Sequence, residues 1–525
     1  MTTRMPGSFI EEGVRNPSAV LAVSTSVPAF VGYTAKADDA GKSLRNTPWR
    51  ITSMADFEQH FGGSPAASEV RFSLTELASN EVGAMTLADR PYRLQQTHGF
   101  YFLHSAMRLY FLNGGGPSYV VSVGGFEGSE GSEGEGGGVQ VSAAALLGGL
   151  PVLQGEPEPA VVLIPEAVLL TKAECARVQN ELLLQCGNSL QLQARKRFAI
   201  LDVHDGHQAS HRGTSNCIAD FRSVIGVGQA GNSNSLSYGA AYYPWLHTNV
   251  LATSAVGFNN LTKGSLPALV AVLQQELLTL KMSPLRRSRL RVQAGLVVTA
   301  LASNTKAQVA LDKRWAAISP AFKAVQIEMV RQLNLLPPSA AIAAVFAATD
   351  VASGVWKAPA NVALNAVLSP AVMLSDGDQE ALNIDVLQGK SINAIRAFPG
   401  RGVMVWGSRT LDGNSSDWRY ISVRRHLMMI EESAKRALAP FVFEPNNAVS
   451  WTAVRSLLED FLYSQWRQGA LAGTKPEDAF AVQVGLGVSM TQADVDAGLM
   501  RVILTIATSR PAEFSLILLT QQMST

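Results

Sequence analysis

The sequence predicts a multi-domain protein of mixed α/β (α+β) class, with extended β-strand arms at both ends and mixed sheets flanked by helices. Three observations support this prediction. The chain has 525 residues, more than one hydrophobic core usually serves. Strand-like apolar runs alternate with helical patterns along the chain. Both ends carry apolar, β-branched and nearly uncharged segments.

The composition favours a protein that covers part of its surface with other protein. Charged residues make up 16% of the chain, well below the usual quarter, and 47% of residues are hydrophobic. The 43 basic and 42 acidic residues leave a formal charge of +1, so no global field attracts nucleic acid or an anionic membrane. We therefore expect neither of them as a partner.

The cysteines indicate no disulfide framework and no structural zinc site. Cys175, Cys186 and Cys217 are odd in number and form no C-x-x-C pair. The N-terminal segment has no apolar core of a signal peptide, and no run of eighteen apolar residues occurs. We expect a cytosolic chain with no membrane insertion and no cofactor.

The N-terminal third is predicted to alternate between strands and helices. Short strands are expected near Val20 and near Phe30, and a short helix over 54–61. The segment "YFLHSAMRLYFLNGG" predicts a helix that ends at Asn113, and "SYVVSV" a strand after it. Residues 124–138, with eight glycines and four glutamates, are predicted to form a solvent-exposed flexible loop.

The middle of the chain continues the pattern of a parallel or mixed sheet. "AVVLIP" and "RFAILDV" are predicted strands, separated by a helix over 172–192. Helices are expected over 266–335, ending at Pro337 and Pro338. Within them, "SPLRRSRLRV" clusters four arginines without aromatic residues, which favours a solvated or subunit-contacting face over a nucleic-acid site.

The last third predicts two amphipathic helices followed by two strands. "RRHLMMIEESAKRAL" is the first helix, and the second runs from Ser450, as its N-cap, to Gln468. The strands lie in "RVILTIATSRPAEFSLILLTQQ", with a hinge at Pro511. The last strand is apolar on both faces, so it must be paired and covered by its own chain or by another. The candidate subunit-interface residues of the two arms are Val20, Leu21, Val23, Phe514, Leu516 and Leu518.

Two motifs suggest chemistry but lack the context that would support it. "GVGQAG" at 226–231 has the spacing of a dinucleotide-binding loop, yet a turn-rich stretch follows it and no acidic residue lies between Asp220 and Glu276. "LDVHDGHQASH" follows a predicted strand, and a metal-dependent enzyme using this 202–211 loop is the alternative that it raises. Its candidate ligands are Asp202, His204, Asp205, His207 and His211.

The glycine- and arginine-rich stretch "AFPGRGVMVWGSRTL" is interpreted as a structural joint. The lysine and hydroxyl residue of a phosphate loop do not follow its glycines, and "GVMVWGSRTL" indicates a strand with a glycine-permitted bend. The arginines suit carboxylate partners across a packing surface. The residues assigned to this joint are Arg396, Gly400, Arg401, Gly402, Trp406 and Arg409.

Several strings in a fixed order resemble the contractile tail sheath proteins of myophages and of phage-tail-like extracellular injection systems. Near the N-terminus these strings are "PGSFIEEG" and "TSVPAFVG", and "FLNGGGPSYVV" and "YYPWL" follow further along the chain. Later come "GVWKAPAN", "LNIDVLQGKSINAIRAFPGRGVMVWGSRTL", "WRYISVRR", "VFEPNN", "WRQGALAG" and "RPAEF". Residues 124–345 match the family only loosely.

The resemblance implies a non-enzymatic structural subunit that polymerises helically, in hexameric layers, around an inner tube. It implies contraction that drives the tube through a cell envelope, baseplate and terminator partners, and arms that add strands to neighbouring sheets. Assembly in the cytoplasm as part of a phage tail or a tail-like particle, including one released extracellularly, is expected. A non-contractile tube or scaffold protein remains the other alternative.

The expected division of the chain follows from the same resemblance. It consists of an N-terminal arm (1–28), an outer α/β domain (29–345), an inner sheath domain (346–508) and a C-terminal arm strand (509–525). The helix over 450–468 is expected to face the tube, with Arg455 and Arg467 as candidate contacts.

Overall fold

The computed structural model divides the chain into two compact units. The larger unit is Thr25–Arg424, and the smaller unit combines Met1–Ser24 with Arg425–Thr525. The described residues are 19–67, 69–79, 81, 83–126, 141–187, 195–209, 216–227, 235–300, 305–509 and, for the backbone, 514–522. The predicted mixed α/β class is confirmed. The four-part division expected from the sequence stays a prediction.

The larger unit contains most of the regular structure. Its strands are β1 (Pro28–Tyr33), β2 (Asp38–Asp39), β3 (Lys42–Ser43), β4 (Trp49–Ile51), β5 (Arg71–Glu76), β6 (Met85–Leu87), β7 (Arg90–His98), β8 (Ser118–Gly124), β9 (Val161–Leu163), β10 (Phe198–Asp202), β11 (Gly239–Tyr243), β12 (Leu246–Thr248), β13 (Leu335–Leu336), β14 (Val362–Ala363), β15 (Val367–Pro370), β16 (Ile392–Phe398) and β17 (Gly402–Val405). Its helices are α1 (Met54–Phe61), α2 (Leu103–Leu112), α3 (Ala143–Gly148), α4 (Lys172–Gly187), α5 (Cys217–Val224), α6 (Leu266–Thr279), α7 (Pro284–Ala300), α8 (Thr305–Ile318), α9 (Pro320–Leu333), α10 (Ser339–Ser353) and α11 (Asp376–Asn383).

A nine-stranded sheet forms the centre of this unit, in the order β14-β17-β16-β11-β10-β9-β1-β8-β4. The strands from β16 to β8 in this order run parallel, and their residues are almost all buried because helices cover such sheets on both faces. Strand β1 pairs with β8 on one side and β9 on the other. The strand order therefore reverses at β1, where open α/β sheets have a crevice at the carboxyl ends of their strands.

A buried carboxylate fills this crevice. Glu166 follows β9, has no exposed surface, and accepts hydrogen bonds from the backbone N–H groups of Tyr33 (2.7 Å), Phe102 (3.0 Å) and Leu103 (3.2 Å). A negative group is favourable at the N-terminus of α2 because the first N–H groups of a helix have no partner within it. Glu166 thus binds the end of β1 to the start of α2. Gly32 leaves the room it needs, since a Cβ there would lie 2.7 Å from the Glu166 carboxylate.

A second buried carboxylate does the same at the neighbouring strand. Asp202 ends β10, is 3% exposed, and accepts a 2.8 Å hydrogen bond from the N–H of Ser339, the first residue of α10. Burial raises the pKa of both carboxyl groups to about 7, against the lowering effect of these hydrogen bonds. Helices α2 and α10 pack on each other. The two carboxylates therefore bind the N-termini of a packed pair of helices.

A separate core lies under the helices that follow. Strands β5, β7 and β6 form an antiparallel sheet that packs on α6 and α9, and Phe258 stacks on Phe322 with ring centroids 4.1 Å apart. Trp315 is fully buried in this core.

Most of the expected elements of the larger unit are present. The helices at 54–61 and 103–112, and the strands around Phe30, "SYVVSV", "AVVLIP" and "RFAILDV", are confirmed. The strand predicted near Val20 was wrong. The described residues 19–27 contain no regular secondary structure. Helix α4 is described over Lys172–Gly187. Residues 188–192 of the predicted helix and most of the loop predicted at 124–138 lie outside the described residues.

The boundary between the units falls within helix α12 (Ile421–Leu438). The smaller unit further contains α13 (Ala448–Arg467), α14 (Pro476–Ala479), α15 (Gln492–Asp496), β18 (Phe480–Gln483), β19 (Leu499–Ala507) and β20 (Phe514–Gln522). The N-cap of α13 is Asn447, whose Oδ1 accepts from the N–H groups of Val449 and Ser450. The prediction of Ser450 as N-cap was wrong because the helix starts earlier. Among the described helices, none is both long and apolar enough to cross a membrane.

The first prediction concerns Glu166. Because its pKa is raised in the folded state, that state binds more protons than the unfolded chain between about pH 4.5 and pH 7, and this contribution to stability is lost as the pH rises through that window. We expect Glu166→Gln to melt below the wild type, with a gap that widens by roughly 1 to 2 °C between pH 8 and pH 6. Differential scanning calorimetry of both proteins measures this gap. Glu174→Gln, at an exposed position, is the control, and a Glu166→Gln gap that narrows at pH 6 would contradict the account.

Candidate functional site

The small sheet of the smaller unit is the candidate site for assembly. Its order is β18-β19-β20, and both pairings are antiparallel. The side chains of β19 alternate, so that Met500, Val502, Leu504 and Ile506 are fully buried while the residues between them are half-buried. Helix α13 packs against β18 and buries Val454, Leu457, Leu458, Phe461 and Leu462, which recur at helical spacing. The sheet therefore has one face on the core.

Strand β20 lies at one edge of this sheet. All nine of its residues pair with β19, from Phe514 opposite Ala507 to Gln522 opposite Leu499. Among the described strands none pairs with its outer edge. The row of backbone N–H and C=O groups on that edge is a template for pairing with another strand. The side chains of Phe514, Leu516 and Leu518 lie outside the described part of the chain.

The opposite edge of the sheet is β18, which is shorter than β20. Strand β18 pairs only with Ile503–Ile506 of β19. Beyond that pairing, the Leu499 carbonyl accepts from Asn446 Nδ2 (3.2 Å) and the Arg501 carbonyl from Ser489 Oγ (2.6 Å). Side chains thus satisfy part of the backbone there. The long free edge of the sheet is that of β20.

The N-terminal segment is attached to the smaller unit at Val23. This residue is buried, and its N–H donates to the Oγ of the buried Ser433 in α12 over 3.0 Å. Leu21 is 83% exposed and Val20 is half-buried. The structure therefore places one of the three N-terminal interface candidates inside its own unit and leaves Leu21 open to solvent.

The two predicted tube contacts lie on α13 but are not brought together. Arg455 donates from Nη2 to the carbonyl of Val484 at 2.7 Å, whereas Arg467 is exposed in the last helical turn. Twelve residues of helix separate them, a rise of about 18 Å. Arg467 is the one whose charge is free to meet a partner.

The predicted structural joint is a hairpin in the larger unit. Strands β16 and β17 pair from Ile395 opposite Val405 to Phe398 opposite Gly402. Gly400 and Gly402 have φ values of +72° and +80°, a region that favours glycine, so these two positions require it at the turn. Phe398 packs on Trp406, with ring centroids 4.6 Å apart.

The three arginines of the joint bind within the chain, but only one of them binds a carboxylate. Arg396 Nη1 donates to Asp376 Oδ1 over 2.7 Å. Arg401 Nη2 donates to Asn361 Oδ1, and Arg409 Nη1 to the carbonyl of Asn383. The guanidinium of Arg401 also lies 5.9 Å from the ring centroids of Phe398 and Trp406. The hairpin is a cross-linked, rigid element.

Sequence reasoning missed the residues that fix the larger unit. Arg424 is 4% exposed and lies 3.6 Å from the ring centroid of Tyr238 and 4.2 Å from that of Trp418. Glu166 could have been noticed, because it is the one charged residue in "AVVLIPEAVLL". Nothing in the sequence marks Arg424, since its two aromatic contacts come from distant segments.

Among the described residues of the histidine-rich loop, only His204 and Asp205 come together, with His204 Nδ1 3.3 Å from Asp205 Oδ2. The Asp202 carboxylate accepts from Ser339, the ring of His207 packs on Trp245 at 5.1 Å, and His204 Nε2 lies 3.0 Å from the carbonyl of Leu170. His211 lies outside the described residues. Among the residues that the structure describes, no group of three or more His, Cys, Asp or Glu could hold a metal ion. Burial raises the pKa of Cys175, Cys186 and Cys217, so none of the three is an activated thiol.

Two family models match the C-terminal part of the chain. The model of the phage tail sheath protein central domain matches residues 286–411, and that of the phage tail sheath C-terminal domain matches residues 414–519. Over these two ranges the chain is similar to the phage tail sheath family. The tail sheath protein of Enterobacteria phage T4 is 28% identical over 174 residues, which are 33% of this chain and 26% of that protein. The match thus spans about a quarter of that relative.

Solved structures of this family match along nearly the whole chain. The helical sheath of the anti-feeding prophage in its contracted state is 27% identical, with a TM-score of 0.55 over 98% of this chain and 99% of that one. The sheath complex of the extracellular contractile injection system PVC, also contracted, is 25% identical, with a TM-score of 0.54 over 99% and 98%. A chain of the anti-feeding prophage baseplate is 27% identical, with a TM-score of 0.54 over 99% and 100%. The family predicted from the ordered strings is confirmed.

The second prediction concerns the buried face of β19. Leu504→Ala removes apolar volume from a fully buried site and should cost about 3 kcal/mol of local stability. Backbone amides of β18 and β19 should then exchange with deuterium about a hundredfold faster, as measured by mass spectrometry. Thr505→Ala, on the half-buried face, should change exchange far less. Equal effects of the two substitutions would contradict the assigned faces.

Proposed function

We propose that this chain is the structural subunit of a contractile sheath that polymerises around an inner tube and shortens to drive the tube through a target envelope. The similarity to sheaths in a contracted state, over nearly the whole chain, carries this proposal. The free edge of β20 supports the polymerisation step, because an edge strand of nine residues needs a partner to be protected from irregular association.

The terminal arms are the proposed connections between subunits. In the isolated chain β20 pairs with β19 of the same chain. The same hydrogen bonds can form between copies when the strand is exchanged, because a swapped element makes identical contacts. Val20, Leu21 and Val23 in the N-terminal arm, and Phe514, Leu516 and Leu518 in β20, are the proposed interface residues. Strand addition supplies main-chain hydrogen bonds without a dedicated pocket.

The energy for contraction is proposed to reside in two alternative sets of subunit contacts. A rigid-body rearrangement between them needs no nucleotide hydrolysis and no catalytic residue. If each subunit gains about 2 kcal/mol on switching, a sheath of many subunits shortens irreversibly. In this mechanism the arms bend, whereas each compact unit keeps its hydrophobic core.

The proposed partners are other copies of the chain in hexameric layers, the inner tube, the baseplate and the terminator. Arg467 is the proposed tube contact, with Arg455 more restrained by its bond to Val484. The particle is proposed to assemble in the cytoplasm and to be a phage tail or a tail-like injection particle. No metal-dependent activity of the 202–211 loop is proposed, because its described residues bring no more than two candidate ligands, His204 and Asp205, together.

The third prediction tests the C-terminal arm. Deleting residues 511–525 removes β20 and should leave subunits with normal helical circular dichroism that fail to form sheaths. Deleting residues 523–525 keeps β20 intact and is the control. Electron microscopy of both proteins, each produced with the inner tube protein, measures sheath formation. Regular sheaths from the longer deletion would refute strand exchange.

The fourth prediction separates a contractile sheath from a static tube or scaffold. Particles purified with tube and baseplate should include two populations, long and narrow or short and wide. Mild urea should convert the first into the second without the reverse change, and electron micrographs measure both dimensions. A single length and diameter under all conditions would favour the non-contractile alternative.

A further inference from the structure

Helix α7 presents a basic and apolar face that its own unit leaves uncovered. The buried side of α7 packs on α6 through Leu290 and Ala294. On the other side Leu285 and Val292 are 65% and 62% exposed, and the exposed Arg289 lies between them at helical spacing. Arg286 and Arg291 are exposed as well, and residues 281–295 contain no acidic residue. Exposed aliphatic side chains between unopposed charges mark a contact surface.

A second surface of the larger unit has the opposite charge. Helix α11 carries Asp376, Asp378 and Glu380. Asp376 pairs with Arg396, and Asp378 accepts from the N–H and Oγ of the N-cap Ser375. At the other end of this helix the chain enters a loop in which Val386 and Leu387 are 84% and 93% exposed.

Buried polar groups hold this loop in one conformation. Asp385 is 7% exposed, and its Oδ1 accepts from the N–H groups of Leu387 (3.2 Å) and Gln388 (3.3 Å). Its Oδ2 accepts from the N–H of Lys390 (3.2 Å) and lies 3.5 Å from Arg222 Nε. The two aliphatic side chains next to Asp385 are therefore presented to solvent on a rigid turn, which lowers the entropy lost on binding.

From the match of these two surfaces we infer that the α7 face of one subunit docks on the α11 surface of a second copy. This inference rests on the proposed sheath function and names one of its subunit contacts. The dimensions agree: Leu285 and Val292 are about 10 Å apart along α7, and the eight residues of α11 span about 12 Å. Arginines would face the acidic end of α11, and aliphatic residues would face the rigid turn.

Such a contact has the symmetry that a helical polymer requires. Each subunit carries both surfaces on its larger unit, so the two sides of the contact differ and the contact is heterologous. A row of such subunits has an uncovered α7 face at one end and an uncovered α11 surface at the other. Each exposed ion pair contributes little, about 0.5 kcal/mol. Like charges in the same positions are more costly, so charge reversal is a sharper test than charge removal.

The test is charge reversal on either surface and on both together. One variant carries Arg286→Glu and Arg289→Glu, a second carries Asp376→Lys and Glu380→Lys, and a third combines all four substitutions. The control, Lys313→Glu with Arg314→Glu on α8, changes the net charge as the first variant does, at exposed positions. Each is produced with the inner tube protein, checked by circular dichroism, and assayed by sedimentation and electron microscopy.

We expect the first two variants to form less than about a tenth of the wild-type amount of sheath, and the combined variant to recover about half or more. The control should assemble as the wild type does. Normal assembly of either single-surface variant, no recovery in the combined variant, or a defect in the control would overturn the contact while leaving the sheath function intact. If the wild type itself forms no sheath, the proposed function fails and this contact fails with it.

Discussion

The free edge of strand β20 is the feature on which the rest of the structure depends. The backbone groups on the outer side of an edge strand have no partner within the sheet, and a long edge of this kind invites pairing with another strand. In the smaller unit β19 has partners on both sides, while β20 has β19 alone. An assembly in which copies exchange or add strands uses this edge. The same edge would be an aggregation hazard in a protein that works as a monomer.

The larger unit meets a different requirement, because a subunit that transmits movement must keep its shape. Two buried carboxylates, Glu166 and Asp202, hold the starts of two packed helices to the ends of neighbouring strands. The first of them occupies the crevice where the strand order reverses, a place where many α/β proteins bind a ligand. Here a side chain of the protein takes the position of an anion. With this crevice occupied by Glu166, the sheet has a structural role.

Sequence patterns predicted the helices and strands that depend on residues close together in the chain. They did not predict features that depend on contacts between distant segments. Helix α13 and the strand around Phe30 follow from helical periodicity and from β-branched composition. Val20 has the same composition, yet no neighbouring strand reaches it, so it stays irregular. Helix α13 is capped by Asn447 and not by the predicted Ser450, because asparagine is as good an N-cap residue as serine and lies earlier in the chain. The partners of Arg424 and Glu166 come from remote parts of the chain, which local patterns do not encode.

The central claim is that the sheet of β18, β19 and β20 is completed by strands from other copies. A cryo-electron microscopy map of the assembled particle tests it most directly, because it shows which chain each strand belongs to. We expect a strand from another subunit hydrogen-bonded in this sheet, either beside β20 or in place of the cis β20. A sheet that keeps only its three cis strands in the assembly, with the edge of β20 facing solvent, would contradict the account.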